Sequence, residues 1–476
     1  MLMMPRLADE LTSADLERVK HDLLCRLRAV VPNQEHVLAH WEQLDEIARA
    51  TLATQIDDVD FELLMTEEPR PHVYHRSNDS LQPPPVITLE EQSSSREAFL
   101  EGEHCLSEGR VGIVLAAGSI GTRPGFEQPT GMFPIGPVSG STLFQVLFER
   151  IIALGRRYGV RIPLYLMTSN VTHKATIRFL REHENFGLHS DDLRIFCQGT
   201  LPAICAKTRR LLLAGPGELA ACPDGHGGLL DAARKAGCCD DMDRRGIDVL
   251  FYGQVDNPLL SIADPEMIGQ HLLANADITA QVVRRASPVE KLGMFVSRGP
   301  KTWILEYNEF PKKTATATDD DGAPLFWAGN TGAHLFRVSF LNRIASRPNA
   351  LPAHAVRRRV THLDAHGRIQ QPGEPNAIEF RKFIFDLMHH TDRSVLVESD
   401  RVATFAPVKN PDSMTSDTAS TARAAMVRLH TSWLQDFGTR VAPGVDVEIS
   451  PLFALSRTDL STKSLPASID EPTFLR

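Results

Sequence analysis

The sequence predicts an α/β protein built on a mixed, mostly parallel sheet. Two patterns carry that expectation. Between Val111 and about Phe385, short apolar runs recur at Val111–Ala116, 162–167, Leu193–Cys197, 249–255 and 278–283. Amphipathic stretches at 142–154, 172–182 and 229–236 lie between several of them. Runs rich in β-branched residues fit strands buried on both faces, and helices between them serve as crossovers. The third observation is local. Val111–Ala116 runs into Gly118, Gly121 and Gly125 before the 142–154 helix. Strand, glycine loop and helix form the usual layout of a nucleotide site at the edge of such a sheet, because successive backbone N–H groups can converge on an anion. A glycine loop alone is weak evidence, since any strand-to-helix turn can use glycines.

The flanking regions read differently. Thr12 or Ser13 can cap a helix with Leu16, Val19, Leu23 and Leu27 on one face, and a second helix is expected over 34–54. Prolines make 67–95 extended or loop-like. No chemistry is assigned to this helical lead-in. Short runs at 294–297 and 302–306 read as antiparallel additions, and 312–324 as an exposed hairpin or loop. Beyond Asp386 a smaller unit is expected, with strands at 395–398 and 403–407, a helix at 421–434, and strand and loop over the last thirty or so residues. The domain reading is 1–105 helical, 106–388 catalytic and 389–476 a small C-terminal domain.

Composition excludes several classes. The chain has 476 residues, of which 42% are hydrophobic and 23% charged, so a large core needs no disulfide framework. The seven cysteines are scattered, and Cys238-Cys239 lacks zinc-ligand spacing, so they read as reduced thiols of a cytoplasmic protein. No run of about 18 apolar residues exists to span a membrane. A net charge of −9 opposes general nucleic-acid binding. There is no Walker loop, the glycine spacing does not fit G-x-G-x-x-G, and His389-His390 lacks the H-E-x-x-H pattern.

Four polar clusters fall at the ends of expected strands, where open α/β sheets bind ligands. The first is the glycine loop with Thr122 and Arg123, a candidate phosphate clamp. The second is Pro223-Asp224-Gly225-His226-Gly227-Gly228, where glycines around a histidine let backbone approach a flat base. The third is Val255-Asp256-Asn257; a carboxylate at a strand tip suits Mg²⁺, which takes oxygen ligands and keeps substrate phosphate and water in its shell. The fourth is dispersed over Glu306–Glu309, Ala328-Gly329-Asn330 and Lys409-Asn410, groups suited to sugar hydroxyls and a phosphate. Read one at a time, each is also an ordinary turn cap or surface group.

Segments in a fixed order then carry a resemblance. They include LAAGSIGTRPG at 115–125, PTGMFPIG at 129–136, TLFQVLFERI at 142–151, PDGHGGL at 223–229 and the run at 241–269 containing GQVDNPLL. EYNE at 306–309, AGNTGAHLF at 328–336, NAIEFRKFIFD at 376–386 and KNPDSMTSDTASTAR at 409–423 follow. From about Arg110 to Arg423 the chain resembles the eukaryotic-type UDP-sugar pyrophosphorylases, most closely the UDP-N-acetylglucosamine pyrophosphorylase branch. The resemblance implies a GT-A/Rossmann-like nucleotidyltransferase fold and a reaction: UTP and a sugar 1-phosphate give a UDP-sugar and pyrophosphate, with Mg²⁺. It implies that Leu115, Ala116, Ala117, Gly118 and Gly121 meet the nucleotide and Arg123 the leaving phosphates. Gly225, His226 and Gln198 would face the uridine, Asp256 the metal and phosphates, and Asn257 the substrate. Glu306 and Asn330 would hold the sugar and Lys409 its phosphate. The partners are UTP and a sugar 1-phosphate, with no nucleic acid and no membrane, and the protein is read as a monomer or weak homo-oligomer.

The chain also departs from that family's pattern. Ser119-Ile120 stand where the family has one residue, Pro124 replaces a leucine, and Thr130 and Glu379 occupy the positions of two nucleotide-side lysines. His226 matches the UDP-glucose branch rather than the usual asparagine. Removing one charged partner of a buried phosphate contact costs about 2–5 kcal/mol. A catalytically impaired nucleotide-sugar-binding relative is therefore the alternative expectation, with Lys207, Arg209, Arg381 and Lys382 as cations able to compensate.

Overall fold

β1 (Val111–Ala116) is buried along almost its whole length and lies inside the sheet of the larger of two units. The computed structural model describes residues 13–62, 81–94, 96–121, 126–307, 312–347 and 350–476. The larger unit takes Asn78–Gln198, Leu229–Ala350 and Phe385–Arg476; the smaller takes Met1–Ser77, Gly199–Gly228 and Leu351–Ile384. The sequence reads as three consecutive domains, whereas these units alternate along the chain. The physical reason lies in the smaller unit, where Ile204–Cys205, Ala353–Arg358 and Ala377–Lys382 pair as one antiparallel sheet drawn from two distant insertions.

Among the described residues the larger sheet has nine strands. Besides β1 they are β2 (Leu164–Thr168), β3 (Leu193–Cys197), β4 (Val249–Gln254), β5 (Ile278–Arg284), β6 (Met294–Arg298), β7 (Lys301–Leu305), β8 (Ala328–Arg337) and β9 (Ser394–Glu398). Their order is β7-β6-β8-β4-β1-β2-β3, with β5 along β8 and β9 along β5. β4, β1, β2 and β3 run parallel. β8 is antiparallel to β4, β5 and β6, and β6 to β7. The sheet is thus mixed, with the expected antiparallel additions at β6 and β7. β5 and β8 change register between Ala280 and Val282, beside the Asn330 segment.

The helix after the glycine loop runs Leu143–Tyr158. Thr142 caps it by accepting the Gln145 N–H, and Gly159 ends it in the left-handed region at φ 67°. It buries Phe144, Leu147, Phe148 and Ile151 with Ile113, Leu115, Leu164 and Leu166 in the main core. Full burial of such side chains contributes about 1.5–3 kcal/mol each. In the smaller unit, Leu23 and Leu27 of the first helix pack with Trp41, Leu52, Ile56, Ile204, Leu211 and Phe380. The 34–54 pattern breaks into the turns Glu35–Leu38 and Trp41–Gln43 and the helix Glu46–Asp57, which Asp45 caps.

Two C-terminal expectations are corrected. The 395–398 run is β9, a parallel neighbour of β5 in the main sheet. The 403–407 run is not a strand: Asp400 accepts the Val402 N–H and caps the helix Arg401–Thr404 instead. Asp, favoured at a cap, outcompetes the weak β pattern behind it. The other expected helix runs Ala419–Asp436, behind a Thr418 capping box.

Candidate functional site

The loop after β1 is held by neighbouring hydroxyls. Ser169 Oγ donates to the Gly118 carbonyl at 2.8 Å and Thr172 Oγ1 to the Ala117 carbonyl at 3.2 Å. A methyl at Gly118 would stand 2.7 Å from Gln198 Oε1, so only glycine lets that buried amide approach. Gln198 itself follows β3, its N–H donating to the Thr168 carbonyl at 2.8 Å. Leu115, Ala116, Ala117, Gly118, Gly121, Thr130 and Gln198 are therefore brought to the same end of parallel strands β1 to β3. Thr122, Arg123, Pro124 and Gly125 lie outside the described residues, so the phosphate clamp expected of Arg123 has no geometry here.

The two departures in this loop are linked. Thr130 is 6% exposed, its N–H donates to the Ser119 carbonyl at 3.0 Å, and its hydroxyl donates to the same carbonyl at 3.1 Å. The Ser119 hydroxyl in turn donates to Thr130 Oγ1 at 2.9 Å. The longer loop is thus stapled by the residue standing in for the lysine.

In the smaller unit, Gly225 has φ +85°, and a methyl there would meet the Lys382 carbonyl at 2.5 Å. That left-handed close approach requires glycine. His226 follows, and its Nδ1 accepts the Ile384 N–H at 3.0 Å. A backbone N–H can only donate, so the neutral imidazole carries its proton on Nε2. The Phe383 ring lies 5.3 Å away, centroid to centroid. Asp224 is buried, and its carbonyl accepts the Lys382 N–H at 2.7 Å. On the same sheet Glu379 pairs with Arg381 at 3.2 Å. It also stands beside Cys222, whose thiol burial pushes up to about 12, with Glu379 adding to the rise. Arg381 neutralises Glu379 and is committed to it.

Asp256 and Asn257 follow β4 in the larger unit. Asn257 is 3% exposed: its Nδ2 donates to the Thr404 carbonyl at 2.8 Å, and its Oδ1 accepts the Leu259 and Ala406 N–H groups, both at 3.1 Å. The Asp256 carbonyl accepts the Val408 N–H at 2.8 Å. The next two N–H groups, of Lys409 and Asn410, both donate to the Asp417 carbonyl at 2.8 Å. The Lys409 side chain is exposed, on a segment pinned by main-chain bonds on both sides. Burial raises the Asp417 carboxyl above its usual range, Lys409 and Arg401 oppose that, and Glu290 and Asp256 reinforce it. Asp256, Lys409 and Asp417 therefore share one electrostatic neighbourhood. Among the described residues no group of three or more His, Cys, Asp or Glu forms a metal cage. A strand-tip carboxylate with one further oxygen-bearing neighbour fits Mg²⁺, which commonly takes one or two carboxylates plus phosphates.

Glu306, after β7, and Asn330, in β8, meet at Gly293. The Asn330 N–H donates to the Gly293 carbonyl at 2.8 Å, and Glu306 Oε1 lies 3.5 Å from where a Gly293 methyl would stand. Asn330 Oδ1 accepts the Gly332 N–H at 2.9 Å, shaping the irregular stretch of β8. Such irregularities re-aim side chains near ligand sites.

Reading residues from the sequence missed Asp417 and the hydroxyl pair Ser169 and Thr172. Asp417 lay within a quoted motif, but only its φ of +54° and its two main-chain bonds mark it out. Ser169 and Thr172 left no signal beyond polar residues at the end of an apolar run.

A family model described as UTP–glucose-1-phosphate uridylyltransferase matches residues 65–445. The UDP-N-acetylglucosamine pyrophosphorylase of Saccharomyces cerevisiae is 35% identical over 367 residues, 76% of this chain and 77% of that protein. UDP-N-acetylglucosamine diphosphorylase 2 of Arabidopsis thaliana is 34% identical over 453 residues, 90% of this chain and 88% of that one. The crystal structure of the uridine diphosphate N-acetylglucosamine pyrophosphorylase from Trypanosoma brucei in complex with inhibitor matches with a TM-score of 0.79 at 24% identity. It covers 96% of this chain and 98% of that one, and shows the shared nucleotidyltransferase-type fold.

Proposed function

Since this chain belongs to the UTP–glucose-1-phosphate uridylyltransferase family, we propose that it makes a UDP-sugar and pyrophosphate from UTP and a sugar 1-phosphate. N-acetylglucosamine 1-phosphate is the leading substrate, because the relatives of highest identity reported above carry that sugar in their names. Glucose 1-phosphate is second, on the Gly-His-Gly sequence at 225–227. One observation carries the reading: the Val408 N–H bond to the Asp256 carbonyl at 2.8 Å sets the strand-tip carboxylate beside the Lys409 segment.

The sugar-phosphate oxygen attacks the α-phosphorus of UTP and pyrophosphate leaves. The protein's contribution is positioning and charge neutralisation. The loop from Leu115 to Gly121 meets the nucleotide, and Arg123 the leaving phosphates. In the smaller unit the Nε2–H of His226, beside Gly225, suits a carbonyl such as uracil offers; in the larger unit the Gln198 amide suits a base edge. Lys409 holds the attacking phosphate, and Glu306 and Asn330 hold the sugar hydroxyls. Asn257 positions the Thr404–Ala406 turn rather than touching substrate. Asp256 would hold Mg²⁺, which when bound screens the phosphate charge. The binding-only alternative is not carried forward, because the relatives reported above are named as a pyrophosphorylase and a diphosphorylase. No helix among the described residues is long and apolar enough to cross a membrane. A cytoplasmic monomer or weak homo-oligomer completes the proposal.

The test is Mg²⁺-dependent pyrophosphate release from UTP with a panel of sugar 1-phosphates. Release with N-acetylglucosamine 1-phosphate or glucose 1-phosphate is expected. Silence across the panel would overturn the assignment.

A further inference from the structure

Arg285, just after β5, is 4% exposed, and no carboxylate among the described residues pairs with it. Its guanidinium donates instead to four carbonyls: Ala315 and Phe326 at 3.3 Å from Nη1, and Pro288 at 2.8 Å and Glu290 at 3.3 Å from Nη2. Its own N–H donates to the Trp327 carbonyl at 2.9 Å. Apart from that of Ala315, which ends the helix Lys312–Ala315, these carbonyls belong to the two segments that lead to the sugar-side residues. Phe326 and Trp327 precede Asn330, and Glu290 precedes Gly293, where Asn330 and Glu306 meet. A buried guanidinium that bonds backbone oxygens through both Nη atoms, its Nε having no partner, ties the two segments together.

Glu290 carries the connection outward. Its Oε2 accepts the Ala286 N–H at 2.6 Å, and its Oε1 pairs with Arg401 Nη2 at 2.5 Å. Arg401 Nη1 also donates to the Arg284 carbonyl at 3.1 Å. Arg401 opens the short helix whose last carbonyl, that of Thr404, takes the Asn257 amide at 2.8 Å. Val408 and Lys409 follow on their main-chain bonds to Asp256 and Asp417. The 285–293 segment and the 401–409 segment are thereby joined by an ion pair, with Arg401 30% and Glu290 19% exposed, beside the apolar packing of Leu292 with Phe405.

We propose that the Glu290–Arg401 pair, anchored by Arg285, is a positioning relay that locks the sugar-side residues Glu306 and Asn330 in register with Lys409. The proposal rests on the uridylyltransferase reading and deepens it. The sugar ring and its phosphate belong to one rigid molecule, so the groups that grip each must sit at a fixed separation. The relay sets that separation, and it acts on sugar 1-phosphate without a direct contact to UTP.

The test uses the full chain with Glu290→Gln, Arg401→Lys and the double variant. Both residues are partly exposed, so the core stays intact, and thermal midpoints within a few degrees of wild type confirm it. Each single change should lower kcat/KM for the sugar 1-phosphate roughly tenfold, with most of the loss in its KM, while KM for UTP moves less than about twofold. The double variant should be no worse than the worse single one, since both break one link. Multiplicative losses, an unchanged sugar KM, or an equal rise in the UTP KM would overturn the relay. If wild type releases no pyrophosphate, the activity reading fails, and the relay is judged by calorimetry with UDP-N-acetylglucosamine. Binding weakened about tenfold by either single change upholds it; binding unchanged by them, or absent in wild type, overturns it.

Discussion

The loop after β1 and the segment around Lys409 lie in the same unit and differ in how much of their holding falls to side chains. Side-chain hydroxyls of Ser119, Thr130, Ser169 and Thr172 hold the loop beside its main-chain bonds from Ala117, Gly121 and Thr130. Main-chain bonds to the Asp256 and Asp417 carbonyls hold the Lys409 segment. Where side chains do the holding, substitution reshapes the backbone. Where backbone does it, substitution changes charge and leaves shape alone. Changing Ser119 or Thr130 therefore acts on the loop's shape, while changing Lys409 acts on charge.

Lys409→Ala should show the largest effect and test the backbone-held side directly. With its main-chain bonds intact, the segment keeps its shape and loses one ammonium. Losing a preorganised charge at the reacting phosphate costs roughly 10²–10³ in kcat. Steady-state pyrophosphate release and a thermal melt check this together. A large fall in melting temperature would show that the side chain also holds the fold, and the contrast would break.

Gly118→Ala tests the loop. The new methyl would stand 2.7 Å from Gln198 Oε1, so either the amide or the loop must move. The group in the way is the far end of a flexible side chain, so the fold should tolerate the change and its effect should fall on where the amide points. KM for UTP should rise roughly tenfold at about 1.4 kcal/mol per decade, with KM for the sugar 1-phosphate little changed. Equal rises in both would mean that the loop also governs the sugar side.

Thr130→Ala should do less. It removes the hydroxyl bonds to Ser119 but leaves the main-chain bond, a loss of about 1 kcal/mol. KM for UTP should rise roughly fivefold. Thr130→Lys with Glu379→Lys is expected to give no gain in rate. The first change loses the same hydroxyl bonds at a 6% exposed position, and the second sets a cation beside Arg381 in place of its 3.2 Å partner. A gain would show that missing charge, not loop geometry, limits the site.

The larger sheet was legible because its strands are apolar and end sharply: β1 and β3 fall on their expected bounds, and the glycine loop with its helix follows. The helix at 401–404 was not, since four residues with one capping aspartate look like a weak strand. The smaller unit was hidden for a topological reason. Its antiparallel sheet joins Ile204–Cys205 to Ala377–Lys382 across an intervening stretch of the larger unit, and no local pattern encodes that pairing. For the site, residue types at strand tips were readable. What holds them was not, because main-chain bonds such as those to Asp417 leave no mark on side-chain identity.

The smallest effect concerns the frame behind the Lys409 segment. His430, in the helix Ala419–Asp436, is 5% exposed, and its Nδ1 accepts the Ile449 N–H at 3.2 Å. Burial, with Arg150 adding to it, pushes its pKa down to about 4. Arg150 in turn donates to the Leu260 carbonyl at 3.1 Å, three residues after Asn257. In the unfolded chain this histidine titrates near its ordinary value of about 6.5. Between those two values the unfolded state binds more protons, so the contribution is complete above the unfolded pKa and is lost as pH falls toward the folded one. The expected loss is on the order of 1–3 kcal/mol by the low end of that window. His430→Gln keeps an acceptor for Ile449 and removes the titration. Chemical denaturation from pH 7 to pH 4 should therefore show a shallower decline in the variant than in wild type. Equal slopes would assign the acid sensitivity elsewhere, first to His271, whose pKa burial drives down to about 3.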